Sequence, residues 1–418
     1  MPRHVAFYQW RDTIGEHFRG LSKPQVCVLA LWAWGMVCTR CCGLTTVAVF
    51  LAMFFDCPGN TMRQRLREFY QEADAKAGQK RQALDVKDCF APLLGWVVEG
   101  WPTRQLPIAL DASNLGDQFV VLAISVVYRG CSVPVAWRIL PAALSTPWRE
   151  EWLTLLQQFK GLVPQDWTVL ALTDRGLWAP WLFAAIVALG WHPFMRINTG
   201  GAFRPDGQAQ FQPLRGFVAK EGACWRGRGT AFSTPDRQLR CTLMAWWGPG
   251  HKEPWLILTD LPPEVGGADW YGLRAWVEQG FKDIKRGGWQ WQHTRMADAQ
   301  RAERLWLAIA VATLWLLRVG GEAEHNGWGQ PAALPELDLS VPSGGPGATA
   351  RKKRRRKRWR LVSVFALGWL VILMALLDHA PLPLGQWFPD PWPDAHNTAS
   401  APQRPVPLNA SGYRILGK

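Results

Sequence analysis

Acidic residues are in short supply in this sequence: 33 Asp and Glu stand against 47 Lys and Arg, and charge of either sign makes up 19% of 418 residues. So small a charged fraction beside 48% hydrophobic residues excludes a disordered, self-repelling chain. The formal net charge of +14 spreads positive potential over the surface and suits polyanions, meaning nucleic acid or acidic membranes, although scattered solvated charge is the plainer reading. A cysteine framework is also missing. The nine cysteines (Cys27, Cys38, Cys41, Cys42, Cys57, Cys89, Cys131, Cys224 and Cys241) are irregularly spaced and odd in number, so most read as small buried hydrophobes of an intracellular chain. Cys38 and Cys41 form a C-x-x-C, but no second Cys or His pair stands at zinc-finger spacing. No secretory leader is expected, because Met1 to Phe18 is polar and mixed in charge. The uncharged run Leu361 to Leu377 lies between the basic run Arg351 to Arg360 and Asp378. It sits at the lower length limit of a membrane span and is interrupted by Ser363 and Gly368, so a buried helix is expected, with a single span as the other reading.

What is present is patterned, over a length that allows two or three domains. Residues 1 to 100 read as helical, with apolar helices at Pro24–Val37 and Leu44–Phe55. A Cys57-Pro58-Gly59-Asn60 turn follows, and Thr61 is placed to cap a polar helix carrying Arg63, Arg65 and Arg67. An apolar helix, a tight turn and an Arg-rich helix outline a helix-turn-helix DNA reader, or equally an ordinary solvated amphipathic helix. Lys76, Lys80, Arg81 and Lys87 extend the basic character. From 105 the pattern becomes strands: Leu106–Leu110, Phe119–Tyr128 and Val133–Leu140 with short links predict an antiparallel meander. A helix at Trp148–Phe159, a strand at Trp167–Leu172, a helix at Trp181–Leu189 and a strand at His192–Ile197 complete a mixed-sheet α/β pattern. Residues 198 to 262 read as a β-rich insertion, with strands at Gly216–Lys220, Arg240–Trp247 and Trp255–Leu258. Helices return at Asp269–Arg286 and Ala297–Val319; a Gly/Pro-rich linker follows at 321–350, and the Pro-rich last forty residues read as poorly ordered.

Two carboxylates end apolar strands, Asp111 after Leu106–Leu110 and Asp174 after Val169–Thr173. On parallel neighbours they would share one sheet edge, where α/β proteins bind ligands; singly, each is an ordinary turn or cap residue. Asp260, in Leu258-Thr259-Asp260, repeats the local pattern of Leu172-Thr173-Asp174. On a regular helix at 269–286, Trp270, Leu273, Val277, Phe281 and Ile284 form a core stripe, and Tyr271, Arg274, Glu278 and Lys285 border it. A solvated face with an Arg274–Glu278 pair is the alternative.

The spacing Tyr271-x2-Arg274-x3-Glu278-x6-Lys285 resembles the Y-R-E-K signature of the insertion-sequence-four family of bacterial DDE transposases. Asp111-Ala112-Ser113 and Thr173-Asp174-Arg175-Gly176 resemble the same family, over residues 40 to 320 or so. The resemblance implies an RNase H-like core at 101–197 and 263–320, interrupted by the β-strand insertion at 198–262, with a helical DNA-binding region at 1–100. It implies Asp111, Asp174 and Glu278 as catalytic ligands of two Mg²⁺ ions, replaceable by Mn²⁺, and ranks Asp174 above Asp260 by order along the chain. Tyr271, Arg274, Lys282 and Lys285 would contact DNA phosphates, and one insertion tryptophan, Trp246 or Trp247, would stack a flipped base. The partners implied are element-end and target duplexes bound by a dimer in the bacterial cytoplasm, without a membrane. The basic run within 351–418 reads as a contact to DNA backbone. A non-catalytic DNA-binding regulator and an RNase H-like nuclease without strand transfer are the rival readings.

Overall fold

The computed structural model describes residues 5–77, 82–143, 147–328 and 362–392. Five helices come first: α1 (Val5–His17), α2 (Lys23–Thr39), α3 (Leu44–Phe55), α4 (Gly59–Tyr70) and α5 (Phe90–Glu99). Ser22 and Gln25 form a capping box that starts α2, with Pro24 in its first turn. Arg40 and Asp56 end α2 and α3 in the left-handed region, at φ 51° and 50°. Pro58, not Thr61, caps α4; Thr61 lies inside its first turn.

A meander follows, β1 (Gln105–Leu115), β2 (Phe119–Tyr128) and β3 (Cys131–Pro141), then α6 (Arg149–Gln157), β4 (Thr168–Thr173), α7 (Pro180–Ala188) and β5 (His192–Arg196). The chain continues through β6 (Ala202–Pro205), β7 (Gln212–Pro213), β8 (Cys224–Ala231), β9 (Leu239–Trp246) and β10 (Trp255–Thr259). It closes with α8 (Trp276–Lys282), α9 (Ala299–His325) and α10 (Val364–Leu377). The strands make one ten-stranded sheet in the order β3-β2-β1-β4-β5-β10-β9-β8-β6-β7. β1, β4 and β5 are parallel, while β2, β3 and β10 run against their neighbours.

Several expectations change. The strands of 198–262 extend the core sheet, because β10 pairs directly with β5. The strand expected at 216–220 is absent; Leu214–Phe217 forms a 3₁₀ turn, and β6, β7 and β8 carry the pairing instead. β8 escapes pattern reading because its Arg and Gly residues break the apolar alternation. α9 runs past 320 to His325, since Val319 to Ala323 still face protein. The basic run Arg351 to Arg360, together with Lys80 and Arg81, lies outside the described residues.

α9 is long and apolar enough to cross a membrane, and here protein covers it all round, from β3, α2, α4 and α10. A helix with no polar stripe must be enclosed in this way. Several of its polar groups pair with other elements. Arg304 donates to Glu72 at 2.6 and 2.9 Å and to the Tyr70 carbonyl at 3.0 Å. Glu303 accepts from Arg138 at 3.1 Å and from the Ile139 amide at 2.8 Å. The Trp289 indole donates to Thr313 Oγ1 at 2.8 Å. These partners offset part of the desolvation penalty, although burial still raises the Glu303 carboxyl above its ordinary value.

α10 lies against α9 at Gly320 and Gly368. A Cβ on Gly320 would run into the Val364 carbonyl, and one on Gly368 into the Leu316 carbonyl. Residues 379–392, expected to be poorly ordered, are instead fastened down. The Phe388 amide donates to Tyr128 Oη at 2.9 Å, Arg129 donates to the Phe388 carbonyl at 2.6 Å, and the Trp315 indole donates to the Pro383 carbonyl at 2.8 Å. Trp387 packs on Tyr128 and Trp392 on Trp270, each with ring centroids 4.8 Å apart. Proline does not loosen a segment whose indoles are buried.

Gly368→Val should cost roughly 1–3 kcal/mol by overpacking the α9–α10 crossing, read as a lower urea midpoint. An unchanged midpoint would mean the two helices part freely.

Candidate active site

The β1–β4 ladder ends at the pair Leu110 and Thr173, so Asp111 and Asp174 are the next residues on two adjacent parallel strands. Adjacent strands lie about 4.8 Å apart, which sets the two carboxylates side by side. Asp111 does not end its strand as expected; β1 runs on to Leu115 because β2 still pairs with it. Asp174 accepts from the amides of Gly176 and Leu177 at 2.9 and 3.1 Å, a local turn that holds its carboxylate in place.

The segment carrying the Tyr, Arg, Glu and Lys is not one regular helix. It is a 3₁₀ helix over Ala268–Ala275, then α8, then a π turn over Asp283–Gly287. The even spacing of 100° per residue therefore fails, and the four side chains part company. Tyr271 is buried edge-on to Trp255, 5.2 Å between centroids. Arg274 turns inward, with only 13% of its side chain exposed, whereas the Glu278 side chain is 58% exposed. Lys285, on the π turn, donates to Ser113 Oγ at 2.8 Å. Lys282 is exposed.

Arg274 gathers the acids. Its Nη2 lies 2.9 Å from Asp111 Oδ1 and 3.8 Å from Asp174 Oδ2, and its Nη1 lies 2.8 Å from Glu278 Oε1. Its buried Nε has no hydrogen-bond partner among the described residues. Burial pushes the Asp111 carboxyl above its ordinary value; Arg274 opposes the shift and Asp174 adds to it. Burial likewise raises the Tyr271 hydroxyl to about 12 and lowers the Lys285 ammonium. The site is thus a partly dry acidic pair whose charge one guanidinium offsets in part.

The three acids offer only carboxylate oxygens, the donors that suit a hard divalent cation. Among the described residues, however, no three Asp, Glu, His or Cys side chains close around one point. Asp111 and Asp174 meet at one end of the Arg274 guanidinium and Glu278 at the other. The donor chemistry fits a divalent ion, and the guanidinium takes up the carboxylate charge that an ion would need.

The remaining sequence candidates lie elsewhere. β10 is antiparallel to β5, so Asp260 falls at the opposite end of the sheet from Asp174, 3.0 Å from His192 Nδ1. Trp246 and Trp247 are half-buried: Trp246 stands edge-on to Trp255, and the Trp247 indole donates to the His251 carbonyl at 2.9 Å. Arg63, Arg65 and Arg67 are exposed on α4. Ser113 was read from sequence only within the Asp111-Ala112-Ser113 stretch and given no role, although it shares a strand face with Asp111 by period two. The Glu253 pairing with Arg175 and Arg196, at 2.9 and 3.2 Å, was not singled out; its partners are distant in sequence, and no local signal foretells it.

Asp283 is a buried acid on the π turn, accepting from Gln279 at 2.8 Å. Burial moves its carboxyl from 3.8 to about 6. The folded chain therefore holds more protons than the unfolded chain in that window, so stability falls as pH rises through it. At neutral pH the loss is about 3 kcal/mol. Asp283→Asn should remove this slope and be the more stable form at pH 7 but not at pH 3.5, read by urea denaturation. Parallel curves for both proteins would refute the assignment.

No curated protein matches the chain. Residues 149–315, about two-fifths of the sequence, match the family model described as Transposase DDE domain. The match takes in Asp174, Arg274 and Glu278; Asp111 precedes it. The mixed ten-stranded sheet and its flanking helices fit the RNase H-like core of such an enzyme. Over β4, the extended sheet, α8 and most of α9, the chain is similar to the DDE domain of transposases, which supports a transposase acting on DNA.

Proposed function

We propose that this chain is a metal-dependent DNA transposase of the insertion-sequence-four type, cutting element ends and joining the freed 3′-OH to a target. One observation carries the reading: parallel pairing of β1 with β4 sets Asp111 beside Asp174, and the other end of the Arg274 guanidinium holds Glu278. Asp111, Asp174 and Glu278 would hold two divalent ions, Mg²⁺ or Mn²⁺, whose charge stabilises the attacking and leaving oxygens of phosphodiester displacement. Arg274 and Lys285 would contact the phosphates flanking the cut, Arg by its planar fork and Lys as a point charge. Tyr271, buried against Trp255, would position that segment, and exposed Lys282 would add to the phosphate contact. Trp246 and Trp247 are our candidates for stacking an extruded base. A dimer pairing two ends, in the bacterial cytoplasm, completes the proposal. A non-catalytic regulator would bind DNA without any need for the acids to converge.

Asp111→Asn, Asp174→Asn and Glu278→Gln should each reduce metal-dependent nicking of terminal-repeat DNA on the order of 100-fold or more, while Asp260→Ala leaves it near the parent rate. Nicking that survives in Asp174→Asn and vanishes in Asp260→Ala would reverse the assignment. Joined products separate a transposase from a nuclease of the same core.

Arg274 and a divalent cation compete for the same carboxylates. Without DNA, Arg274→Gln should bind Mn²⁺ about tenfold more tightly than the parent by calorimetry. Equal or weaker binding would show that the guanidinium does not compete.

A further inference from the structure

A second basic site lies beyond the catalytic segment. Residues of α4, the α2–α3 turn and the 290–298 loop enclose a cleft of about 820 Å³. Arg63 and Arg67 line it from α4, Arg295 from the loop and Arg301 from the start of α9. Among the described residues Asp298 is its one acidic lining residue; it caps α9, accepting from the Arg301 amide at 2.9 Å, and its other oxygen lies 3.8 Å from Arg301 Nε, leaving the cleft a net positive charge. Leu44, Thr45 and Thr46, the first turn of α3, form part of the wall. That twelve-residue helix has no side-chain cap and no acid in its first turn, so its amide groups add to the positive field.

The cleft is joined to the catalytic segment by hydrogen bonds to its backbone. Arg40 donates to the Gly287 carbonyl at 2.8 Å, and the Cys42 amide to the Trp289 carbonyl at 2.9 Å. Gln290 on the cleft wall is five positions beyond Lys285, a chain reach of at most about 18 Å. Along a duplex that is roughly five base-pair steps.

We propose that this cleft seats the phosphate backbone of the duplex being cut, a few nucleotides from the reacting phosphate. The proposal rests on the DNA-cutting function above. Four arginines spread over three elements suit a line of phosphates better than a single small anion, which would need them to meet at one point. Arg65 takes no part: it faces a different hollow, with Glu68 and Lys76. Seating of this kind engages backbone and carries no sequence information, in contrast to a recognition helix reading bases.

The experiment measures binding of a fluorescein-labelled 25-base-pair duplex of arbitrary sequence by anisotropy, across a salt series. In Arg67→Glu/Arg295→Glu the affinity should fall at least tenfold, and the slope of log K against log salt should flatten by about 2, one unit for each phosphate no longer neutralised. Lys160→Glu/Lys220→Glu carries the same charge change at exposed positions away from the cleft and should keep the parent slope. If reversal lowers the melting temperature, Arg67→Ala/Arg295→Ala replaces it, with the same weakening expected. Equal effects in cleft and control variants, or none in either, overturn the cleft while leaving the DNA-cutting function standing. A parent protein that binds no duplex overturns both.

Discussion

The burial of α9 on every side is the constraint around which the fold is organised. Its middle, from Leu305 to Leu317, has no polar face to offer water, so a sheet face alone could not satisfy it. β3 covers one side, α2 and α4 another, and α10 returns from a distant part of the sequence to cover the rest. The two glycines at the α9–α10 crossing let backbone meet backbone there. The same packing brings α2 and its following turn against the end of the segment that carries Arg274 and Glu278, at Gly287 and Trp289. The core's need for cover thus also sets the distance between the acids and the basic cleft.

Within the site, electrostatics decides what packing leaves open. Asp111 is largely withdrawn from water beside the more exposed Asp174, and its burial raises the carboxyl while Arg274 opposes the shift. Arg274 supplies a positive charge against both and reaches Glu278 as well, so one guanidinium offsets part of the charge of three carboxylates. The 3₁₀ and π departures on either side of α8 are what allow Arg274 to turn inward while Lys285 reaches Ser113. Irregular helical turns of this sort recur at functional sites.

Much of the framework was legible beforehand. α3 and β2 fall on the apolar runs read from sequence, and the meander followed from its short turns. β8 was not legible, because arginines and glycines occupy a strand that is held by its ladder to β9 and is only partly buried. The tail from 379 to 392 misled for the opposite reason: its prolines suggested disorder, yet Trp387 and Trp392 find aromatic partners on β2 and beside Tyr271. Composition describes a segment's own preferences and says nothing about distant partners that can override them.

The candidate acids divide in the same way. Residue type, order and spacing along the chain singled out Asp111, Asp174 and Glu278 with Arg274 and Lys285, because local pattern carries that information. Two things depended on tertiary structure. Strand direction separates Asp174 from its look-alike Asp260, since β10 enters the sheet antiparallel and carries Asp260 to the other end. The position of Arg274 among the three acids depends on contacts between residues more than a hundred and sixty positions apart, and no periodicity within one segment encodes such a meeting.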